Sequence, residues 1–297
     1  MNLRFLFLCL FLYGMHQGVS AVDYTTNDSL MVEQLLDEGA RVNAKSDLIL
    51  FYAKKFTGVP YVARTLEKNE TEKLVVNLRQ LDCTTFVETV MALALATWNG
   101  GVGWNDYLNW LQIIRYQNGE KKSYVSRNHY FSQWIMSNEK LGLVCDIGNS
   151  QTKPGSPFTA RQKLELSYMS SFPEKYPMLK GRVNDIAEIR RMERACNGRE
   201  VAYIPKGALN VLRHGLPEIH DGDILAIVTS KKGLDVSHLG FAVWSEDGKL
   251  YMLHASSLHG KVLLESITLY EYLKRQSSCM GVRVIRPMQQ NRDGIIM

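Results

Sequence analysis

A chain of 297 residues with 45% apolar and 22% charged positions has the balance of a globular protein and the length for a sizeable core. Its 8 prolines and 22 glycines exclude collagen-like and proline-rich chains. A net charge of +5 is too mild to point to nucleic acid, whose binding usually needs a domain with clustered basic charge.

Taken in chain order, the first element is an export signal. Arg4 supplies a positive start, Phe5–Tyr13 an apolar run, and Val19-Ser20-Ala21 the small residues of a cleavage site. The run is far shorter than the ~20 residues that span a bilayer, so cleavage after Ala21 is expected, without a retained anchor. Cys9 lacks the small residue that precedes a lipidated cysteine. The expected product is a mature domain of residues 22–297, secreted across the inner membrane to the periplasm as a monomer.

Ser46 reads as the cap of a helix carrying Leu48, Ile49, Phe51, Tyr52 and Phe56, stopped at Gly58. After Val59-Pro60-Tyr61, the stretch Cys83–Trp98 is almost free of charge and apolar on nearly all faces. Asn99-Gly100-Gly101 ends it, so it reads as a buried central helix. Residues 102–215 are mixed and read as a large elaboration on a compact core, with a solvated basic helix (Arg190, Arg191, Arg194) around Val183–Asn197. The last third predicts strands at Asp223–Thr229, His238–Ser245, Leu250–Ser256, Lys261–Glu265 and Val282–Arg286. Helices followed by an antiparallel run predict an α+β domain.

Signal cleavage leaves Cys83, Cys145, Cys196 and Cys279, too sparse for a disulfide scaffold although two bridges could form. No Cys-x-x-Cys pair supports a thiolate zinc site.

Cys83 stands in the first turn of the central helix behind Asp82, where unpaired amides and the positive end of the helix dipole favour thiolate. A nucleophilic cysteine needs a base, and the base an orienting group. His238 opens one predicted strand and His254 lies in the next. If Gly248 takes the left-handed position of a three-residue loop, Ser245 pairs with Lys249 and Gly240 faces His254. His238 and His254 then share one sheet face at a diagonal spacing of ~7–8 Å or less, with room left by Gly240. A two-residue turn would separate them.

Leu81-Asp82-Cys83-Thr84-Thr85-Phe86-Val87, Ser237-His238-Leu239-Gly240 and His254 resemble the active-site segments of the NlpC-type cell-wall cysteine hydrolases, papain-like enzymes with a Cys-His-His triad. Gly58-Val59-Pro60-Tyr61-Val62 and Asp221-Gly222-Asp223-Ile224-Leu225 resemble two further segments of that superfamily. The long separation of Tyr61 from Cys83 and of Cys83 from His238, and Ala63-Arg64 in place of a Gly-Gly, depart from its usual pattern. Those departures resemble the N-acetylmuramoyl-L-alanine amidase-like branch, as do the segments 77–88, Arg127-Asn128-His129-Tyr130-Phe131 and Ala202-Tyr203-Ile204-Pro205.

The resemblance implies a papain-like core with a large insertion, hydrolysing the lactyl–L-alanine amide of peptidoglycan muropeptides without metal or cofactor. Cys83 attacks, His238 moves the proton and His254 orients it; the Cys83 amide and the Tyr61 hydroxyl are candidates for the oxyanion. Asp82 is either a helix cap or a binder of a free L-alanine amine. Arg127 and Tyr130 are candidates for holding substrate carboxylate and sugar, against an ion pair and a core aromatic. His129 is expected to be structural.

Three rivals are set beside this reading. A zinc hydrolase would draw on His214, His220, Asp221, Asp223, His238, His254 and His259, but no His-Glu-x-x-His pattern exists. A γ-D-glutamyl–diamino-acid endopeptidase would use the same triad and give Asp82 its amine-binding role. A non-catalytic muropeptide-binding module would present Trp104, Trp110 and Trp134 on an exposed face.

Overall fold

The structure, a computed structural model, describes residues 22–42, 48–150 and 154–289. The signal segment and Ser46 lie outside the described residues.

Helices α1 (Thr26–Gly39), α2 (Leu48–Lys55), α3 (Cys83–Trp98), α4 (Trp104–Arg115) and α5 (Phe131–Lys140) form the first half. Shorter helices α6 (Ile147–Ser150) and α7 (Tyr168–Ser171) precede α8 (Val183–Cys196), and α9 (Leu269–Lys274) lies near the end. The strands are β1 (Val22–Asp23), β2 (Leu74–Val75), β3 (Val144–Asp146), β4 (Ala160–Lys163), β5 (Glu200–Pro205), β6 (Ile224–Thr229), β7 (Val236–Trp244), β8 (Leu250–Ser256), β9 (Lys261–Leu264) and β10 (Cys279–Pro287). β1 and β2 form a small parallel pair, and the others an antiparallel sheet ordered β4-β5-β10-β6-β7-β8-β9, with β3 also on β10.

The five strands expected in the last third are present with ends shifted by up to three residues. The excursion over 102–215 does more than decorate that core. β3, β4 and β5 come from it and extend the sheet, β5 and β3 sharing the edge of β10 that β6 leaves free. Its own apolar cluster gathers Tyr124, Tyr130, Leu166, Met169, Leu179 and Ile189.

The sheet is covered on both faces. Ile224, Ala226, Leu239, Phe241 and Leu253 pack with the helical layer, where Phe241 meets Phe86 of α3 edge-on at 5.4 Å. Leu225, Ile227, Ala242, Met252, Val282 and Val284 face the other way, against Leu269 and Leu273 of α9. Burial on both faces makes β6 an unbroken apolar run rather than an alternating one.

α3 is the central helix the sequence predicts. Asp82 accepts from the Thr85 amide at 2.8 Å, and Thr85 Oγ1 accepts from the Asp82 amide at 2.9 Å, a reciprocal cap that fixes where the helix starts. Upstream, buried Asp28 accepts from the Leu78 amide at 3.0 Å and so ties the approach to that cap onto α1. Burial of nearly the whole helix, Phe86 to Ala96 among its residues, removes Cys83 from any freedom to shift along its axis.

Among the described residues no helix is long and apolar enough to cross a membrane. Cys83, Cys145, Cys196 and Cys279 are all free thiols.

Candidate active site

The hairpin joining β7 to β8 has the predicted form. Gly248 has φ +75°, the Ser245 amide donates to the Lys249 carbonyl at 2.9 Å, and Trp244 pairs with Leu250. Continued along the strands, that register sets Gly240 opposite His254. An added Cβ on Gly240 would lie 2.8 Å from the His254 Cβ and 2.6 Å from the Met252 Cγ, so only glycine fits beneath that ring. β7 bulges at Ser237, since Ile227 pairs with His238 and Val228 with Val236, which re-aims the strand at the histidine.

The two imidazoles meet edge-to-face, with His238 Nε2 2.5 Å from His254 Nδ1. His254 is fully buried, and its Nε2 lies 2.9 Å from Glu265 Oε1. A carboxylate only accepts, so His254 carries its proton on Nε2 and offers Nδ1 as an acceptor. His238 therefore donates from Nε2, and its Nδ1 is left as the basic nitrogen. Tyr272 of α9 closes this group, its ring 5.3 Å from that of His254.

Glu265 was not among the expected site residues, yet its signal is in the register. His254 pairs with Leu263, and the Glu265 amide donates to the Met252 carbonyl at 3.0 Å. Glu265 is thus one diagonal step from His254 on the same face, as His254 is from His238. The turn over 257–260 sets that register.

Cys83 lines a cavity of about 290 Å³ together with His238, Asp82 and Leu239. The Leu239 amide and the Thr84 amide and hydroxyl point at its sulfur, but burial, with Asp82 adding to it, pushes the thiol up to about 12. Burial, with His254 adding to it, pushes His238 down to about 3. Both shifts run against the thiolate that the helix start favours, because desolvation opposes the pull of the helix amides.

Tyr61 reaches this place because the Val62 amide donates to the Leu81 carbonyl at 3.1 Å and the Leu81 amide to the Pro60 carbonyl at 3.1 Å. Burial, then the nearness of Cys83 and Asp82, pushes its phenol up to about 12, so it keeps its proton. Arg64 stands on the cavity wall with φ +62°, a left-handed backbone that glycine adopts more easily.

Arg127 and Tyr130 line the cavity but have protein partners. The buried Arg127 guanidinium bonds Glu72 at 2.6 and 3.0 Å and Glu67 at 2.7 Å. Tyr130 donates to Glu193 at 2.7 Å and accepts from the Met169 amide at 2.9 Å. Both act as internal struts, Arg127 in an ion-pair cluster and Tyr130 between Glu193 and Met169, so holding substrate would compete with these bonds. His129 donates to the Tyr124 carbonyl at 2.8 Å, the structural role expected for it.

The rivals' residues fare differently from their expectations. Trp134 is buried and stacked on Phe131, while Trp104 and Trp110 pack partly buried on the core, so the exposed aromatic face does not exist. Asp223 is gripped by Arg286 at 2.8 and 2.9 Å, and Asp221 accepts from the Trp244 amide at 2.7 Å. Among the described residues no three His, Cys, Asp or Glu side chains converge as a metal site.

Comparison with known proteins gives this site a setting. A structure of an N-acetylmuramoyl-L-alanine amidase from Bacteroides uniformis superposes with a TM-score of 0.74 at 36% identity, over 82% of this chain and 98% of that one. A candidate xylanase from Bacteroides fragilis gives 0.73 at 42% identity, over 80% and 99%. A Legionella pneumophila protein, at 0.68 and 23% identity over 88% and 94%, shares the fold. No protein of curated function matches. The model of the family described as AmiA-like, N-acetylmuramoyl-L-alanine amidase-like, matches residues 52–282, a span running from α2 through Cys83, both histidines and Glu265 into β10. The chain belongs to that amidase-like family.

Proposed function

We propose that this protein is an exported, cysteine-dependent N-acetylmuramoyl-L-alanine amidase with a papain-like, NlpC-type core, acting on peptidoglycan muropeptides in the periplasm. The observation that carries the reading is the chain Glu265–His254–His238, which fixes both tautomers and leaves His238 Nδ1 as a base in the cavity that holds Cys83. As the sulfur attacks the lactyl carbonyl, the thiol proton passes to His238, the base that shares its cavity. The Cys83 amide, in a helix turn without intrahelical acceptors, and the Tyr61 hydroxyl stabilise the oxyanion. His238 then protonates the departing L-alanine nitrogen, and water, deprotonated by the same imidazole, hydrolyses the thioester.

Asp82 serves the cap. Thr85 holds its Oδ1, so the endopeptidase reading would have to receive a free amine on Oδ2 alone. A glycosidase would need two carboxyls poised across the cleft. Here the cavity's Glu67, Glu88, Asp82 and Asp235 are bonded to Arg127, Arg115, Thr85 and the Ser132 amide.

The test is to incubate the mature protein, and its Cys83→Ala variant, with a disaccharide-peptide muropeptide and weigh the products. A free peptide beginning with L-alanine, released by the wild type alone, is the expected result. A cut deeper in the peptide would assign the endopeptidase, and identical product profiles for the two proteins would remove the cysteine mechanism. The mass of protein recovered from the periplasm should correspond to a start at Val22.

A further inference from the structure

Two cavities meet at His238. The first holds Cys83; the second, of about 430 Å³, shares Ser237 and His238 with it but lacks the cysteine. In any acyl transfer through this pair, the acyl part stays bonded to the sulfur, and the leaving nitrogen must come within hydrogen-bond reach of the imidazole that protonates it. The acyl half of the substrate therefore stays in the first cavity with the sulfur, and the leaving half, protonated there by His238, runs past the imidazole into the second.

The second cavity has a chemistry of its own. Lys231, from the loop between β6 and β7, and Arg275, at the end of α9, are exposed on its wall. Among the described residues, neither has a carboxylate within ion-pair distance. Arg275 feels Glu271 only at longer range, and Glu271 is bonded to Thr268 at 2.9 Å. The one acid on the wall, Glu265, is buried and held by His254. Ser257, Ser266 and Ser278 add hydroxyls. Two unpaired cations about a polar cleft, beside the proton donor for the leaving group, suit a ligand carrying more than one free carboxylate.

We infer that this second cavity is the leaving-group subsite, and that Lys231 and Arg275 select an acidic stem peptide through its free carboxylates. The inference rests on the amidase reading for the identity of the leaving group, but binding can be measured without catalysis.

The probes are the free tripeptide L-alanyl-γ-D-glutamyl-diaminopimelate and the same peptide with every carboxylate amidated, titrated calorimetrically into the Cys83→Ala protein. The acidic peptide should bind more tightly, and added salt should narrow the difference. With each exposed ion pair worth roughly three- to fivefold, Lys231→Ala/Arg275→Ala should weaken the acidic peptide about tenfold and leave the amidated one unchanged. Lys231→Arg should retain the preference. Both cations are exposed, and thermal melting checks that the variants fold.

Arg64→Ala, which removes an exposed cation of the first cavity, should leave peptide affinity as it was. The inference is overturned if the acidic peptide does not bind, if the double variant binds both peptides like its parent, or if Arg64→Ala is the change that abolishes the preference. Charge-selective binding by a protein that fails to release L-alanyl peptides would refute the amidase and leave the anionic-peptide site. Cleavage without that selectivity would do the reverse.

Discussion

Replacing Gly240 by alanine tests whether the contact between the two histidines governs the chemistry. The new methyl would stand 2.6 Å from the Met252 Cγ and 2.8 Å from the His254 Cβ, against an ordinary contact of 3.4 Å. One or both side chains must retreat by about 0.6–0.8 Å, and His254 cannot do so without stretching its bond to Glu265 or to His238. Overpacking of this kind costs about 1–3 kcal/mol of stability, and a displacement approaching 1 Å in a catalytic group can cost up to about 100-fold in rate. The expected result is a kcat lower by about 10–100-fold on a muropeptide, with KM little changed and a lower melting temperature. A downfield proton signal from the His238–His254 bond, if seen in the wild type, should shift or vanish in the variant. An alanine variant with wild-type kcat and unaltered melting would refute the reasoning.

Glu265→Gln keeps the shape but lets the side chain donate, so the His254 tautomer is no longer imposed; kcat should fall by about 10–100-fold at constant KM, read from initial rates. Because burial and His254 push His238 down to about 3, kcat/KM should hold between pH 7 and 5 and decline only near pH 4; a midpoint near 6.5 would refute this. Stability should behave differently. Burial, with His259 adding to it, lowers His254 to about 4, below the ordinary imidazole value, so the unfolded chain binds its proton first as pH drops. The stabilisation is full above about pH 6.5 and is lost toward pH 4, on the order of 3 kcal/mol for this buried group, measurable by urea melts across that range. Since burial raises the Cys83 thiol to about 12, alkylation by iodoacetamide should accelerate steadily through pH 9 with no plateau; a plateau at neutral pH would mean a stable thiolate. Arg127→Ala strands Glu67 and Glu72 and should cost about 3–5 kcal/mol in chemical melts, rather than raising KM alone.

Local rules reach as far as the candidate site residues Cys83, His238 and His254. The cap at Asp82, the uncharged run behind it and the Gly248 turn each depend on a few neighbouring residues, so α3 and the histidine register were legible. Properties decided at long range were not. The thiol's protonation follows from how completely the fold encloses Cys83, which no local feature reveals. Arg127 reads as a surface cation until Glu67 and Glu72 arrive from some sixty residues upstream. The strands at 144–146, 160–163 and 200–205 stayed hidden because their patterns are short, and their only reason to form is the free edge of β10 or, for β4, the β5 strand placed there.

The position of β10 has a consequence for the order in which the chain can acquire its shape. Among the described residues it is the last strand in sequence, yet it lies between β5 and β6, separating the two halves of the sheet. Until residues 279–287 are available, β5 and β6 each present a bare edge where β10 belongs, and the early helices lack part of the surface they pack on. A polypeptide emerging from its amino end must remain open until those residues appear, since contacts of such sequence separation form late. That dependence makes loss of β10 far more damaging than loss of any single strand at the sheet's rim.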